Sequence, residues 1–197
     1  MRINLKVQGV EMAKARLAEV GRKIDPVIRG ALNTTAARTR TRHYVRPMDK
    51  FLGRGQVRNG LRIKRARGKL KNARVIPSSS GVPVTQYKRW IFEWIAPTRA
   101  RIWVWGPGGR KLAAGFVNPA SAAQQPWRTR SATTRETKKK GQRTYSYQAG
   151  GLRPALGPSV AYWFKLLSNS QNIMWTNTFL QQEFEKRLRK EIAKGAR

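Results

Sequence analysis

Trp90-Ile91-Phe92-Glu93-Trp94-Ile95-Ala96-Pro97-Thr98-Arg99-Ala100-Arg101-Ile102-Trp103-Val104-Trp105 is the stretch on which the fold class turns. Before Pro97, Trp90, Phe92 and Trp94 share one parity and Ile91 and Ile95 the other. After it, Arg99, Arg101, Trp103 and Trp105 alternate with Ala100, Ile102 and Val104. A period of two is that of a β-strand, and the proline between the runs makes the stretch a hairpin. One face is aliphatic and suits a core. The other is aromatic and cationic and must be covered or left as an adhesive surface. Trp90, Trp94, Trp103 and Trp105 are therefore candidate subunit-contact residues, and stacking on the bases of a single strand is the alternative reading.

The flanks of this hairpin carry helical periods. Upstream, Ile3, Leu5 and Val7 alternate as a short N-terminal strand. Val10, Ala13, Leu17, Val20 and Ile24 fall at spacings of three and four, on a helix ending near Gly21. A second helix is expected with Asp25 as N-cap and Pro26 at its first position, reaching about Val45 before Pro47. Arg38, Arg40, Arg42 and Arg46 spread round its second half, which should therefore be buried on no side. Downstream, Ile173, Thr176, Leu180, Phe184, Leu188 and Ile192 form the stripe of a C-terminal amphipathic helix, with Glu183–Arg187 and Glu185–Arg189 as i,i+4 pairs. Helices, then strands, then a helix predict an α+β fold: one domain over residues 1–197 with a central antiparallel sheet and long basic arms.

Charge is the dominant compositional fact. Forty-two Lys and Arg stand against 9 Asp and Glu, a formal net charge of +33. Self-repulsion on that scale in a compact chain calls for a polyanion. Seven Trp, six Phe and five Tyr are too many aromatics for a disordered basic tail, so a core is expected. The charge is concentrated in residues 51–155, which hold 23 basic and 2 acidic side chains. Residues 51–74 read as a basic arm in which Leu61 and Ile63 alternate with Arg62 and Lys64, while the glycines at 53, 55, 60 and 68 suggest loops on either side. Residues 118–151, rich in Ala, Ser, Gln, Thr, Arg and Gly, read as a flexible basic loop. Arg54, Arg58, Arg62, Lys64, Arg65, Arg67, Lys69, Lys71, Arg74, Lys138, Lys139, Lys140 and Arg143 are the candidate phosphate contacts. Displacement of condensed counterions by such residues gives affinity without base readout.

Catalytic chemistry finds little footing. There is no cysteine and one histidine, His43, set among arginines. Glu93 and Glu136 are the only carboxylates of the middle segment, and no Gly-x-Ser-x-Gly elbow occurs. Gly106-Pro107-Gly108-Gly109-Arg110-Lys111 lacks the spacing of a phosphate-cradling loop and reads as a turn. No enzyme activity, cofactor, metal or small-molecule substrate is expected. The N-terminus lacks the uninterrupted apolar stretch of a signal peptide, and no apolar run is long enough to cross a membrane.

Three segments carry a family resemblance: Leu32-Asn33-Thr34-Thr35-Ala36-Ala37-Arg38, Ala114-Gly115-Phe116-Val117, and Leu156-Gly157-Pro158-Ser159-Val160 before the amphipathic helix. Their order, the chain length and the basic middle resemble the minor tail protein Z family, the tail completion proteins of long-tailed phages. Gly151-Leu152-Arg153-Pro154-Ala155-Leu156 departs from the Arg-x-Pro-Ile that usually precedes Gly-Pro-Ser there. The resemblance implies a structural virion protein at the head-proximal end of the tail, assembled in the host cytoplasm. It further implies a hexameric ring matching the tail tube, with other tail and neck proteins and the DNA backbone as partners. A free nucleic-acid-binding protein of ribosomal type is the competing expectation.

Overall fold

The computed structural model describes residues 8–19, 21, 23–68, 72–97, 99–138 and 142–195, with Arg99 and residues 129–150 described by their backbone alone. The strand expected at Ile3, Leu5 and Val7 lies outside the described residues. The chain is α+β, with helices and antiparallel sheets. It divides into two compact units: Met1–Lys50, Arg54–Ser79 and Val160–Arg197 in the first, Phe51–Gly53 and Ser80–Ser159 in the second.

The first unit is built on apolar helix faces. α1 (Val10–Glu19), α2 (Ile24–Thr39) and α6 (Ser170–Gly195) bury Ala13 and Leu17, Val27, Ile28 and Ala31, and Leu180 and Phe184 in one cluster. Each fully buried Leu or Phe contributes about 1.5–3 kcal/mol. Leu188 and Ile192 extend the stripe, so the expected C-terminal face is the one used. Gly30 leaves room for the Arg187 guanidinium of α6, whose Nη1 a Cβ there would meet at 2.5 Å. Glu183, 2.8 Å from Arg187 Nε, orients that guanidinium so that Nη2 donates to Thr34 Oγ1. Glu185, expected to pair with Arg189, instead accepts from Gln181 Nε2 at 2.9 Å. α2 begins two residues earlier than expected, with Lys23 in the cap position, Asp25 in the first turn and no side-chain cap. An acidic first-turn residue still complements the helix dipole there.

Beyond Thr39 the structure departs from the sequence-based expectation. Buried positions step 31, 35, 39 and then jump by five to Tyr44, with Val45 and Met48 beside and beyond it. Arg40–Val45 is π-helical, with the Arg46 N–H donating to the Thr41 carbonyl, and a last turn, α3 (Arg46–Met48), follows. The inserted residue rotates the stripe back onto the core, so this half is buried on one side. The wider turn also accommodates Pro47, which has no N–H for the ladder and would press on the carbonyl four residues back. Tyr44 stacks on Phe164 of α5 (Val160–Leu167) at 4.0 Å between centroids.

α4 (Arg54–Gly60) replaces a loop expected around Gly53 and Gly55, and β1 (Leu61–Lys64) pairs antiparallel with β2 (Arg74–Pro77). Gly60, the last residue of that helix, leaves room for Val160, whose Cγ2 a Cβ there would meet at 2.6 Å.

The second unit holds the hairpin. β4 (Trp90–Ala96) pairs with β5 (Arg99–Gly106), which carries β6 (Gly109–Leu112) and β7 (Phe116–Val117). β8 (Pro126–Lys138) and β9 (Gln142–Pro154) continue the sheet. Pro107-Gly108 turns β5 into β6, with Gly108 at φ 82°, a conformation glycine adopts without steric cost. The flexible loop expected over 118–151 is largely this β8–β9 ribbon. Its strands are polar and rich in Thr and Arg, so no run of apolar residues announces them in the sequence. β7 meets β8 only at Trp127 and Pro126, and no described strand pairs along the outer edge of β9.

β3 (Gly81–Pro83) pairs with β10 (Leu156–Ser159), which ends the unit at Gly157-Pro158-Ser159. The Tyr87 hydroxyl donates to the Pro158 carbonyl at 2.6 Å, and its ring lies where a Gly157 Cβ would stand, at 2.7 Å. Gly157→Ala should therefore lower stability by about 1–3 kcal/mol through overpacking. Gly151→Ala, with nothing within 4 Å of its added Cβ, should not lower it. Urea midpoints of the two variants check this.

Candidate nucleic-acid interface

In the first unit, alternation on β1 buries Leu61, half-buries Ile63, and leaves Arg62 and Lys64 exposed, as the period-two reading expects. The register sets Arg62 opposite Ile76 and Lys64 opposite Arg74, and paired residues of an antiparallel ladder share a face. Two cations facing each other across a ladder cost about 0.2–1 kcal/mol unless an anion screens them. Arg67 is exposed just beyond β1, and Arg54 leans on Asp49 at 3.8 Å, so it is partly neutralised within the chain. Lys69 and Lys71 lie outside the described residues.

Arg62 of this face also borders a concavity of about 560 Å³ lined by Arg40, Arg58, Asn59, Leu61, Arg62, Ile63 and Arg65. Three of the expected phosphate contacts, Arg58, Arg62 and Arg65, come together here. Arg40 is the member that pattern reading missed. Its Nε donates to the Leu61 carbonyl at 2.7 Å and its Nη2 to the Arg58 carbonyl at 2.8 Å, so the guanidinium is clamped to the junction of α4 and β1.

The basic arm is not loose at its other side. Asn33 Nδ2 donates to the Ala66 carbonyl at 3.2 Å, and the Ala66 N–H donates to Asn33 Oδ1 at 2.8 Å, imitating one rung of a sheet. Arg29 Nη1 reaches the Gly68 carbonyl at 3.1 Å. A signal for Asn33 exists in the sequence: an amide at a mid-helix position beside buried Ala31 demands a specific partner. Asn33→Ala should cost about 1–3 kcal/mol, because it removes both partners of the Ala66 peptide. Denaturant titration reads the loss.

On the far side of the π-helical segment, Arg42 lies 4.7 Å from the Trp175 ring centroid and His43 packs edge-on to the same ring at 4.6 Å. Trp175 stacks in turn on Phe179. His43 Nε2 is buried with no hydrogen-bond partner. Burial first, and then the Arg42 charge, hold the imidazole below its usual 6.5, against a hydrogen bond with Asn172 that favours the charged form. The unfolded chain therefore takes up this proton before the folded one does. Stability should fall as the pH drops through about 6.5, and His43→Phe should flatten that fall in denaturant midpoints between pH 7.5 and 5.5.

In the second unit the ladder register corrects the expected faces. Trp90 pairs with Val104, Phe92 with Ile102 and Trp94 with Ala100, so these aromatics share the face of buried Ala100, Ile102 and Val104. Trp103, paired with Ile91 and Leu112, and Trp105, paired with Arg110, share the opposite one. A one-residue change of register exchanges every face, and the bulge between Trp94 and Ala96 makes counting across the turn unreliable. The two outer indoles already have partners. Trp103 Nε1 donates to Glu93 Oε2 at 2.9 Å, with Arg110 4.7 Å from its ring centroid, and Arg89 lies 4.4 Å from the Trp105 ring centroid. Intramolecular cation–π pairing argues against free base-stacking platforms. Trp94 at 62% exposure, Ile95 at 52% and Leu112 at 56% leave apolar surface on this sheet.

Lys138 and Arg143 fall in the last two rungs of the β8–β9 ribbon, opposite Gln142 and Thr137, and Lys139 and Lys140 lie outside the described residues. Among the described residues no three His, Cys, Asp or Glu side chains gather as a metal site, and no helix is long and apolar enough to cross a membrane. Comparison of the chain with protein-family models, curated proteins and solved structures finds no match.

Proposed function

We infer that this chain is a structural, non-enzymatic subunit of a phage tail, a tail completion protein at the head-proximal end, whose basic surfaces rest on DNA without reading its sequence. The observation that carries the DNA contact is the uncompensated positive charge of the first unit: Lys64 opposite Arg74, and Arg58, Arg62 and Arg65 around the clamped Arg40. An isolated chain gains nothing from concentrating like charge on ordered backbone. A phosphate backbone supplies the missing anions and releases its own counterions. The tail assignment rests on the order of the three resembling segments. One of them, Gly157-Pro158-Ser159, has a packing reason for its glycine in the Tyr87 contact. The exposed Trp94, Ile95 and Leu112 suit contact with a neighbouring subunit or tail protein.

Light scattering on nuclease-treated protein in about 0.5 M salt, a concentration that screens surface charge, should give a mass near six times that of the chain. A monomer that neither assembles nor decorates purified tails would instead favour a free-standing nucleic-acid binder of ribosomal type. In either case affinity for a random-sequence duplex should fall steeply and linearly in log–log salt plots, with mismatched and matched sequences bound alike.

A further inference from the structure

We propose that the concavity between the π-helical segment, α4 and β1 is a seat for one phosphate of a nucleic-acid backbone, with Arg40 as its fixed donor and Arg58, Arg62 and Arg65 closing around it. The inference rests on the DNA reading above and goes further, because it makes one phosphate contact pre-formed among many diffuse ones.

The case begins with Arg40. Two of its five N–H donors are spent on the carbonyls of Leu61 and Arg58, which fixes the guanidinium plane, and three remain for a ligand. An arginine already immobilised loses little side-chain freedom on binding, unlike the exposed lysines elsewhere on the chain. The same hydrogen bonds tie the donor to the backbone that carries Arg58, Arg62 and Arg65, so the four guanidinium-bearing residues are positioned as a set. No carboxylate lines the concavity. The four positive charges therefore repel one another until an anion enters, and this favours occupancy.

The shape of the site favours a phosphodiester over an acidic side chain. Arginine forks match the paired oxygens of a phosphate, and a volume of about 560 Å³ accommodates a sugar-phosphate unit with water. Half-buried Ile63 offers the sugar an apolar floor. The exposed cationic face of β1, with Arg62 and Lys64, continues from the seat and gives the adjoining backbone its next contacts.

The test uses the full chain, a fluorescein-labelled 20-base-pair duplex and a salt series read by anisotropy. Arg62→Gln with Arg65→Gln, both on exposed side chains, should reduce the slope of log K against log salt by about 1.8, the value for two lost phosphate contacts. Lys14→Gln with Lys186→Gln, exposed on α1 and α6, should change it by less than half as much. Arg40→Lys keeps the charge but not the clamp. It should weaken binding severalfold with the slope retained, and a thermal melt should show the variant folded. Inorganic phosphate should also shift the Nε–H resonance of Arg40 in ¹⁵N-arginine protein.

Equal slopes for the two double variants in a chain that still binds duplex would overturn the seat and leave the DNA reading standing. A wild-type chain with no affinity for duplex at about 0.1 M salt would remove the DNA reading and the seat together. An unmoved Arg40 resonance in phosphate, with polyglutamate bound through the same arginines, would replace phosphate by an acidic protein as the occupant.

Discussion

The one-residue insertion in the helix that runs from Ile24 to Met48 is the constraint on which the first unit depends. Without it, the buried stripe that passes through Ala31, Thr35 and Thr39 would continue to His43 and leave Tyr44 and Met48 out of phase with the core. With it, Tyr44 reaches Phe164, and its hydroxyl meets Ser168 Oγ at 3.1 Å. The buried Thr39 hydroxyl meets Thr176 at 3.3 Å just before the insertion, so the helix is tied to its neighbour where its hydrogen bonding changes. Arg40, whose own N–H still bonds to the Ala36 carbonyl in the α pattern, reaches the α4–β1 junction from the last regular turn before the insertion. The cationic site and the repacked half of the helix thus adjoin at one backbone irregularity, a context in which π-helical turns commonly occur.

Electrostatics and packing oppose each other throughout this chain. A compact fold brings Lys64 against Arg74 and gathers four arginines around one hollow, although dispersal would cost less Coulomb energy. The chain tolerates this because the charges stay at the surface while neutral contacts hold the backbone, among them the Asn33–Ala66 rung and the approach of Gly60 to Val160, and the cationic Arg29 itself donates to the Gly68 carbonyl. The strain is relieved by whatever anion the surface meets, so affinity for a polyanion and stability of the arm are linked. Acidic residues are used sparingly, and several serve to orient cations, as Glu183 does for Arg187 and Asp49 for Arg54.

The second unit meets a different demand. Its sheet buries Ala100, Ile102 and Val104 and covers its two outer indoles with arginines from the same unit. It then runs out into a ribbon whose strands are each 13 residues long. Gly115 shows how closely the sheet and its continuation are fitted: a Cβ there would lie 2.5 Å from the Trp127 carbonyl oxygen and 2.4 Å from Ala155 Cβ.

Local periodicity was enough for much of this protein. The spacing of Leu180, Phe184, Leu188 and Ile192 determined the C-terminal helix and the face it buries. The alternation of Leu61, Arg62, Ile63 and Lys64 determined a strand with one cationic side, and Pro97 between two alternating runs determined the hairpin. These features are legible because each depends on neighbours within a few residues. Tertiary structure alone decided the rest. The partner of Trp90 is Val104 because a bulge resets the count across the turn, and no spacing within one strand encodes that. The phase of Tyr44 follows from an insertion that is favourable only when a core stands on that side of the helix, and the clamp on Arg40 needs the α4–β1 carbonyls brought beside it from elsewhere in the chain. The segments of the β8–β9 ribbon are polar and carry no apolar run, so backbone pairing, an interaction blind to side-chain sequence, is what reveals it.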